Sequence, residues 1–141
     1  MKKSRGANGG TANRPSLLIV DDDKEWTDLL RFYFLEKYEV LVVNSACEVM
    51  ETVRTHQPSV IIVDLIMPTI DGFGIIRRLN DSSQTRIPTI LLTGWNTAEV
   101  EECAASVGCA AVLSKPVELA ALDEKVSFLM SQKPLMSTAV M

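Results

Sequence analysis

The sequence predicts an α/β fold in which helices cover both faces of a parallel sheet. Short apolar runs and amphipathic segments alternate five times along the chain. The runs are continuously apolar and rich in β-branched residues, which is typical of strands buried on both faces. The 141 residues are 47% hydrophobic and 23% charged, as expected for one globular domain. We therefore predict a single doubly wound (βα)5 domain.

The predicted strands are the apolar runs themselves, and each is followed by polar residues at its carboxyl end. Their length of about four or five residues matches ordinary buried strands. The predicted strands are residues 17–20, 40–43, 60–63, 89–92 and 110–113.

The predicted helices lie between these strands. In the first, residues 24–37, one apolar stripe at helical spacing is formed by Trp26, Leu29, Leu30, Tyr33 and Phe34. In the second, the spacing of a serine and a glutamate indicates a capping box, formed by Ser45 and Glu48. The remaining helices are predicted to open at Asp71-Gly72 and to span residues 96–107 and 117–130.

Charge is distributed unevenly along the chain. The net charge is −4, but residues 1–14 carry four basic residues and no acid, so the rest of the chain carries −8. A body this acidic argues against direct nucleic-acid binding. No apolar run reaches the roughly 18 residues of a membrane span, which predicts a cytoplasmic protein with no membrane contact. We expect a disordered basic leader at 1–15, a folded domain at 16–130 and a flexible tail at 131–141.

Polar residues that suit phosphate chemistry follow four of the strands. They are Asp21, Asp22, Asp64, Thr93 and Lys115. Because ligands of open α/β sheets bind outside the carboxyl ends of the strands, these side chains are expected to converge. Clustered carboxylates bind a hard cation such as Mg²⁺, and a hydroxyl and an ammonium group suit phosphoryl oxygens. The pattern predicts a pocket that holds a phosphoryl group beside Mg²⁺.

Four motifs in this order resemble the receiver domain of two-component response regulators. They are LIVDDD, VDLIMPTIDGFG, ILLTG and LSKP, and the resemblance covers roughly residues 16–130. It implies a flavodoxin-like strand order of 2-1-3-4-5. It also implies a signalling switch that assists its own Mg²⁺-dependent phosphorylation and dephosphorylation rather than a metabolic enzyme.

The resemblance implies a role for each site residue. Asp64 would be the phosphoacceptor, Thr93 the switch hydroxyl, and Lys115 the ion-pair partner of the phosphoryl group, in a cis peptide bond with Pro116. The implied Mg²⁺ ligands are Asp21, Asp22, Asp64 and the backbone carbonyl of Ile66.

The implied partners are proteins. A histidine kinase or a histidine phosphotransfer protein would donate the phosphoryl group. A downstream target would bind the face formed by the fourth helix, fifth strand and fifth helix, and homodimerisation is left open.

The chain departs from the usual family pattern at three positions. Val112 stands where the switch aromatic usually lies, which argues against coupling through an aromatic flip. Ile66 and Trp95 occupy positions that commonly tune dephosphorylation, and neither offers a polar group to orient water. We expect a long-lived phosphorylated form.

Two other classes of protein share parts of this pattern. A haloacid-dehalogenase-type phosphatase would use Asp21 as nucleophile, but it needs further acids after the lysine strand, where only Asp123 and Glu124 remain. A flavodoxin-like cofactor binder needs a Ser-, Thr- and Gly-rich phosphate loop after the first strand, and here that loop is acidic.

Overall fold

The structure is a computed structural model that describes residues 14–67, 71–82, 86–95 and 97–132. Strands and helices alternate along the chain. The strands are β1 (Ser16–Val20), β2 (Glu39–Val43), β3 (Val60–Asp64), β4 (Thr89–Thr93) and β5 (Ala111–Ser114). The helices are α1 (Lys24–Phe34), α2 (Val49–His56), α3 (Gly72–Ser82), α4 (Ala98–Val107) and α5 (Leu119–Met130). The five strands form one parallel sheet in the order β2-β1-β3-β4-β5, which confirms the predicted fold class.

The core has two layers, one on each face of the sheet. One layer joins alternate strand residues to α2, α3 and α4, through side chains such as Val53, Ile76 and Val107. The other joins the intervening strand residues to α1 and α5, through Phe34 and Leu122. Helices cover β1, β3 and β4 on both faces of the sheet, which explains why the sequences of these strands are continuously apolar.

Helix α1 differs from its prediction. It ends at Phe34 rather than at residue 37, and only Leu30 and Phe34 of the predicted stripe are buried. Thr27 takes the remaining buried position, so the buried face is rotated away from Tyr33. The Tyr33 hydroxyl instead donates a hydrogen bond to Asp123 of α5, at 3.0 Å. The predicted stripe was therefore wrong in part: it included Leu29 and Tyr33, which are exposed, and omitted Thr27, which is buried.

The predicted capping box at α2 is also wrong. A 3-10 turn, Ala46–Glu48, precedes α2, and neither Ser45 nor Glu48 makes a side-chain capping hydrogen bond. The Ser45 hydroxyl lies 3.0 Å from the Cys47 sulfur instead.

The remaining boundaries shift by one to a few residues. Thr97 caps α4 by accepting a hydrogen bond from the Val100 amide, so this helix begins later than predicted. Helix α5 begins at Leu119 rather than at residue 117. None of the helices in the described part of the chain is long and apolar enough to cross a membrane. Most of the predicted leader and tail, residues 1–13 and 133–141, lies outside the described residues.

Candidate functional site

Asp21 is held at the carboxyl end of β1 by three backbone contacts. Its amide donates to the Val43 carbonyl at 3.2 Å, and its own carbonyl accepts from the Asn44 side chain at 3.0 Å. One carboxylate oxygen, Oδ1, accepts from the Asp23 amide at 3.0 Å. The residue is only 2% exposed, and its other oxygen, Oδ2, has no hydrogen-bond partner within the described residues.

Two further carboxylates lie beside Asp21. Oxygen atoms of Asp21, Asp22 and Asp64 all fall within 4.8 Å of one another. Asp64 is buried at the end of β3, whereas Asp22 is exposed. Burial raises the pKa of Asp21 from 3.8 to about 6; the Asp23 amide opposes this shift, and the nearby charge of Asp64 adds to it. The protein therefore holds mutually repelling acids in one place.

Lys115 supplies the counter-charge. Its Nζ lies 2.6 Å from Oδ1 of Asp64, and its side chain is 38% exposed. Its backbone amide donates to the Thr93 carbonyl at 2.8 Å, and the Lys115–Pro116 peptide bond is cis, as the resemblance implied. Lys115 therefore directly follows β5, and its ammonium group reaches past β4 to Asp64 at the end of β3.

Thr93 ends β4 and is buried, at 2% exposure. Its hydroxyl accepts a hydrogen bond from the Trp95 amide at 2.9 Å. No hydrogen bond joins Thr93 to Asp64 among the residues that the structure describes. Ile66 and Trp95 lie two residues after Asp64 and Thr93, and their side chains are 57% and 70% exposed. The sheet thus clusters the three acids and pairs Lys115 with one of them, Asp64. Thr93 lies one residue beyond the β3–β4 pair Asp64–Leu92.

A glycine allows α3 to start directly against the site. The amide of Gly72 donates to the Leu65 carbonyl, and a Cβ at position 72 would lie 2.7 Å from the Asp64 carbonyl oxygen. The preceding Asp71 accepts from the Gly74 amide at 2.8 Å and so caps α3. The Asp71-Gly72 pair was predicted to open a helix, but the close packing of Gly72 against Asp64 and the hydrogen bond from Asn44 to Asp21 were not predicted. Neither had a signal in the sequence, because both depend on contacts between distant segments.

The acid cluster fits Mg²⁺. Mg²⁺ prefers oxygen ligands in a compact shell and usually keeps several waters. Asp21, Asp22 and Asp64 offer three carboxylates. The Oδ2 of Asp21 is a buried acceptor without a partner among the described residues, and a cation would satisfy it. A divalent charge also relieves the repulsion among the acids.

Comparison with known proteins identifies the family. Residues 17–127 match the family model described as the response regulator receiver domain. The chain belongs to this family.

The relatives of this receiver domain agree in sequence and in fold. A 14.6 kDa protein of Leptolyngbya boryana is 31% identical over 110 residues, covering 77% of this chain and 84% of that protein. The receiver domain of the Francisella response regulator 1452 is 26% identical, with a TM-score of 0.77 over 82% of this chain and 96% of that one. The signal receiver domain of a DNA-binding response regulator from Colwellia psychrerythraea is 28% identical, with a TM-score of 0.76 over 84% and 99%.

Membership of this family places the chain among signalling domains rather than classical enzymes. It therefore does not support the phosphatase and cofactor-binding alternatives. In this receiver domain, Val112 is half-buried on β5 and packs against the core layer that joins the sheet to α2, α3 and α4.

Proposed function

We propose that this receiver domain is a phosphorylation-activated switch of a two-component system, and that Asp64 accepts the phosphoryl group. The observation that supports it most is the 2.6 Å ion pair between Lys115 and Asp64 beside two further acids. A buried nucleophile next to a fixed cation and a cation-binding cluster is the arrangement that phosphoryl transfer requires, because the reaction depends on positioning and charge neutralisation.

In the proposed reaction, a carboxylate oxygen of Asp64 attacks the phosphorus of a phosphohistidine on a histidine kinase or a phosphotransfer protein. The new P–O bond forms as the P–N bond breaks, and the imidazole leaves with the bonding electron pair and takes up a proton. Lys115 holds the Asp64 carboxylate in position and then pairs with the transferred group. The Thr93 hydroxyl accepts from Trp95 and keeps its own hydrogen free to donate to a phosphoryl oxygen.

Asp21, Asp22 and Asp64, with the backbone carbonyl of Ile66, would hold Mg²⁺. When bound, the cation neutralises charge on the phosphoryl oxygens. In its absence, the acids beside Asp64 would repel an incoming phosphate, so phosphorylation should require a divalent cation.

The output would be a changed protein-binding surface made by α4, β5 and α5. Phosphorylation adds charge and three acceptor oxygens near Thr93, and the loop after Thr93 leads directly into α4. On this surface, Phe128 of α5 is 60% exposed, which suits an apolar contact with a target or with a second copy. Three glutamates, Glu99, Glu101 and Glu102, lie on α4 and oppose contact with nucleic acid.

The test is phosphorylation by acetyl phosphate with and without Mg²⁺, measured by intact mass and by acid-base lability of the added group. We expect a single labile adduct that needs Mg²⁺ and disappears in Asp64→Asn. Asp28→Asn removes an exposed carboxylate from α1 and is the matched control, which should label normally. Undiminished labelling of Asp64→Asn, with the adduct on Asp21, would overturn the assignment and favour the phosphatase chemistry.

A further inference from the structure

A second polar cleft lies between the carboxyl-terminal ends of α3 and α4. It has a volume of about 450 Å³, and its lining includes Arg77 and Asn80 of α3, Arg86 before β4, and Gly108 after α4. Both helices end shortly before the next strand begins, so the cleft lies at the amino-terminal edge of the sheet. It is therefore separate from the phosphorylation site, which occupies the opposite edge.

The carboxyl-terminal end of α4, which lines this cleft, already has hydrogen-bond partners. Asn80 donates its side-chain amide to the Val107 carbonyl, and the Gly108 amide donates to the last turn of α4. Gly108 adopts a φ of 89°, and a Cβ there would lie 2.6 Å from Nδ2 of Asn80. Asn80 and Gly108 therefore cap the carboxyl-terminal end of α4, and no arginine takes part in these hydrogen bonds.

The two arginines of the cleft have no such partner within the described part of the chain. Among the residues that the structure describes, neither Arg77 nor Arg86 forms a salt bridge or a hydrogen bond, although Asp81 lines the same cleft. Arg86 lies beside the Asn80–Gly108 contact, because its Nη1 would be 3.5 Å from a Cβ added at Gly108. With Asp81 included, the charged side chains of the cleft sum to one positive charge, in a chain whose net charge is −4.

We propose that this cleft binds a small oxoanion that carries phosphate or carboxylate groups. Guanidinium groups present paired donors that match the oxygens of either group, and Asn80 keeps one amide hydrogen for a further contact. A volume of about 450 Å³ is within the range of small-molecule sites. The polar lining and the open charges favour an anion over an apolar ligand.

The proposal is tested by following amide signals during titration of the full chain with inorganic pyrophosphate and, separately, with citrate, both without Mg²⁺. We expect saturable shifts at Gly108 and its neighbours with at least one of the two probes. Arg77→Gln and Arg86→Gln should each weaken that binding about tenfold or more. Arg31→Gln, which removes an exposed arginine from α1, should leave it unchanged.

Three outcomes would overturn the proposal. Shifts that do not saturate with either probe, or that weaken equally in Arg31→Gln, would show that the response is only nonspecific attraction. Saturable shifts at Gly94 and Trp95 that persist in both cleft variants would place the anion at Lys115 instead. The variants change exposed side chains, so a loss of folding is not expected to obscure the result.

Discussion

Replacing Asp21 by asparagine should stabilise the metal-free protein at neutral pH. Asp21 is 2% exposed, and one of its carboxylate oxygens has no partner within the described residues, so its ionised form is poorly solvated. Asparagine keeps an oxygen that can still accept from the Asp23 amide but carries no charge. The substitution therefore removes the buried charge with little change in shape.

The pKa of Asp21 sets the size of this effect. Burial raises that pKa from 3.8 to about 6. At about 1.36 kcal/mol per pH unit, the ionised side chain destabilises the folded state by up to about 3 kcal/mol. Since the folded protein holds this proton more tightly than the unfolded chain, the penalty is absent well below pH 4, grows as the pH rises, and is complete above pH 6. The gain from Asp21→Asn should follow the same pH dependence.

The assay is urea unfolding followed by circular dichroism, with chelator present, at pH 4.5 and pH 7.5. Asp21→Asn should be more stable than wild type by up to about 3 kcal/mol at pH 7.5 and by about 1 kcal/mol at pH 4.5. Asp22→Asn is the matched control, because it removes an exposed carboxylate from the same cluster and should have a smaller effect. With saturating Mg²⁺, wild type should gain stability and Asp21→Asn should gain less.

Two results would refute this reasoning. If Asp21→Asn is no more stable than wild type at pH 7.5 without metal, burial of the charge does not destabilise the fold. If the gain is the same at both pH values, it does not arise from ionisation of Asp21.

Three further predictions concern the rest of the site. Ile66→Asn should accelerate loss of phosphate several-fold in a time course followed by intact mass, because it adds a polar group that can orient water; unchanged or slower loss would contradict this. Thr93→Ala should still be phosphorylated, but beryllofluoride should shift the amide signals of Gly94 and Trp95 less than in wild type; an equal response would exclude coupling through Thr93. Gly72→Ala should destabilise the fold by about 1–3 kcal/mol in urea unfolding, because its Cβ would meet a backbone carbonyl. Gly94→Ala is the control, because a Cβ there enters open space. Equal stability of the two variants would refute the close packing at position 72.

Features that depend on one run of sequence were predictable. Apolar runs fixed the five strands, and the polar residues after them marked the site, because parallel strands place their carboxyl ends at one edge. That topology also brings Lys115 and Asp64, 51 positions apart in sequence, to the same edge of the sheet.

Polar side chains that have several possible partners were not predictable. Tyr33 appeared to belong to the core, yet it bonds to Asp123 on another helix. The predicted capping box did not form: a 3-10 turn precedes α2, and the Ser45 hydroxyl lies 3.0 Å from the Cys47 sulfur. In each case a polar atom had two candidate partners, and only the three-dimensional arrangement decided between them.

The hydrogen bonds of Thr93 indicate how the site can communicate with α4 without an aromatic switch. Its carbonyl accepts from the Lys115 amide, and its hydroxyl accepts from the Trp95 amide, so Thr93 links the lysine of the site to the loop before α4. If Thr93 moves towards a phosphoryl group, the Trp95 amide is drawn with it. Trp95 is 70% exposed, so little packing opposes that movement, whereas Val112 is held in the core layer. We therefore expect the loop, and not β5, to carry the response to phosphorylation.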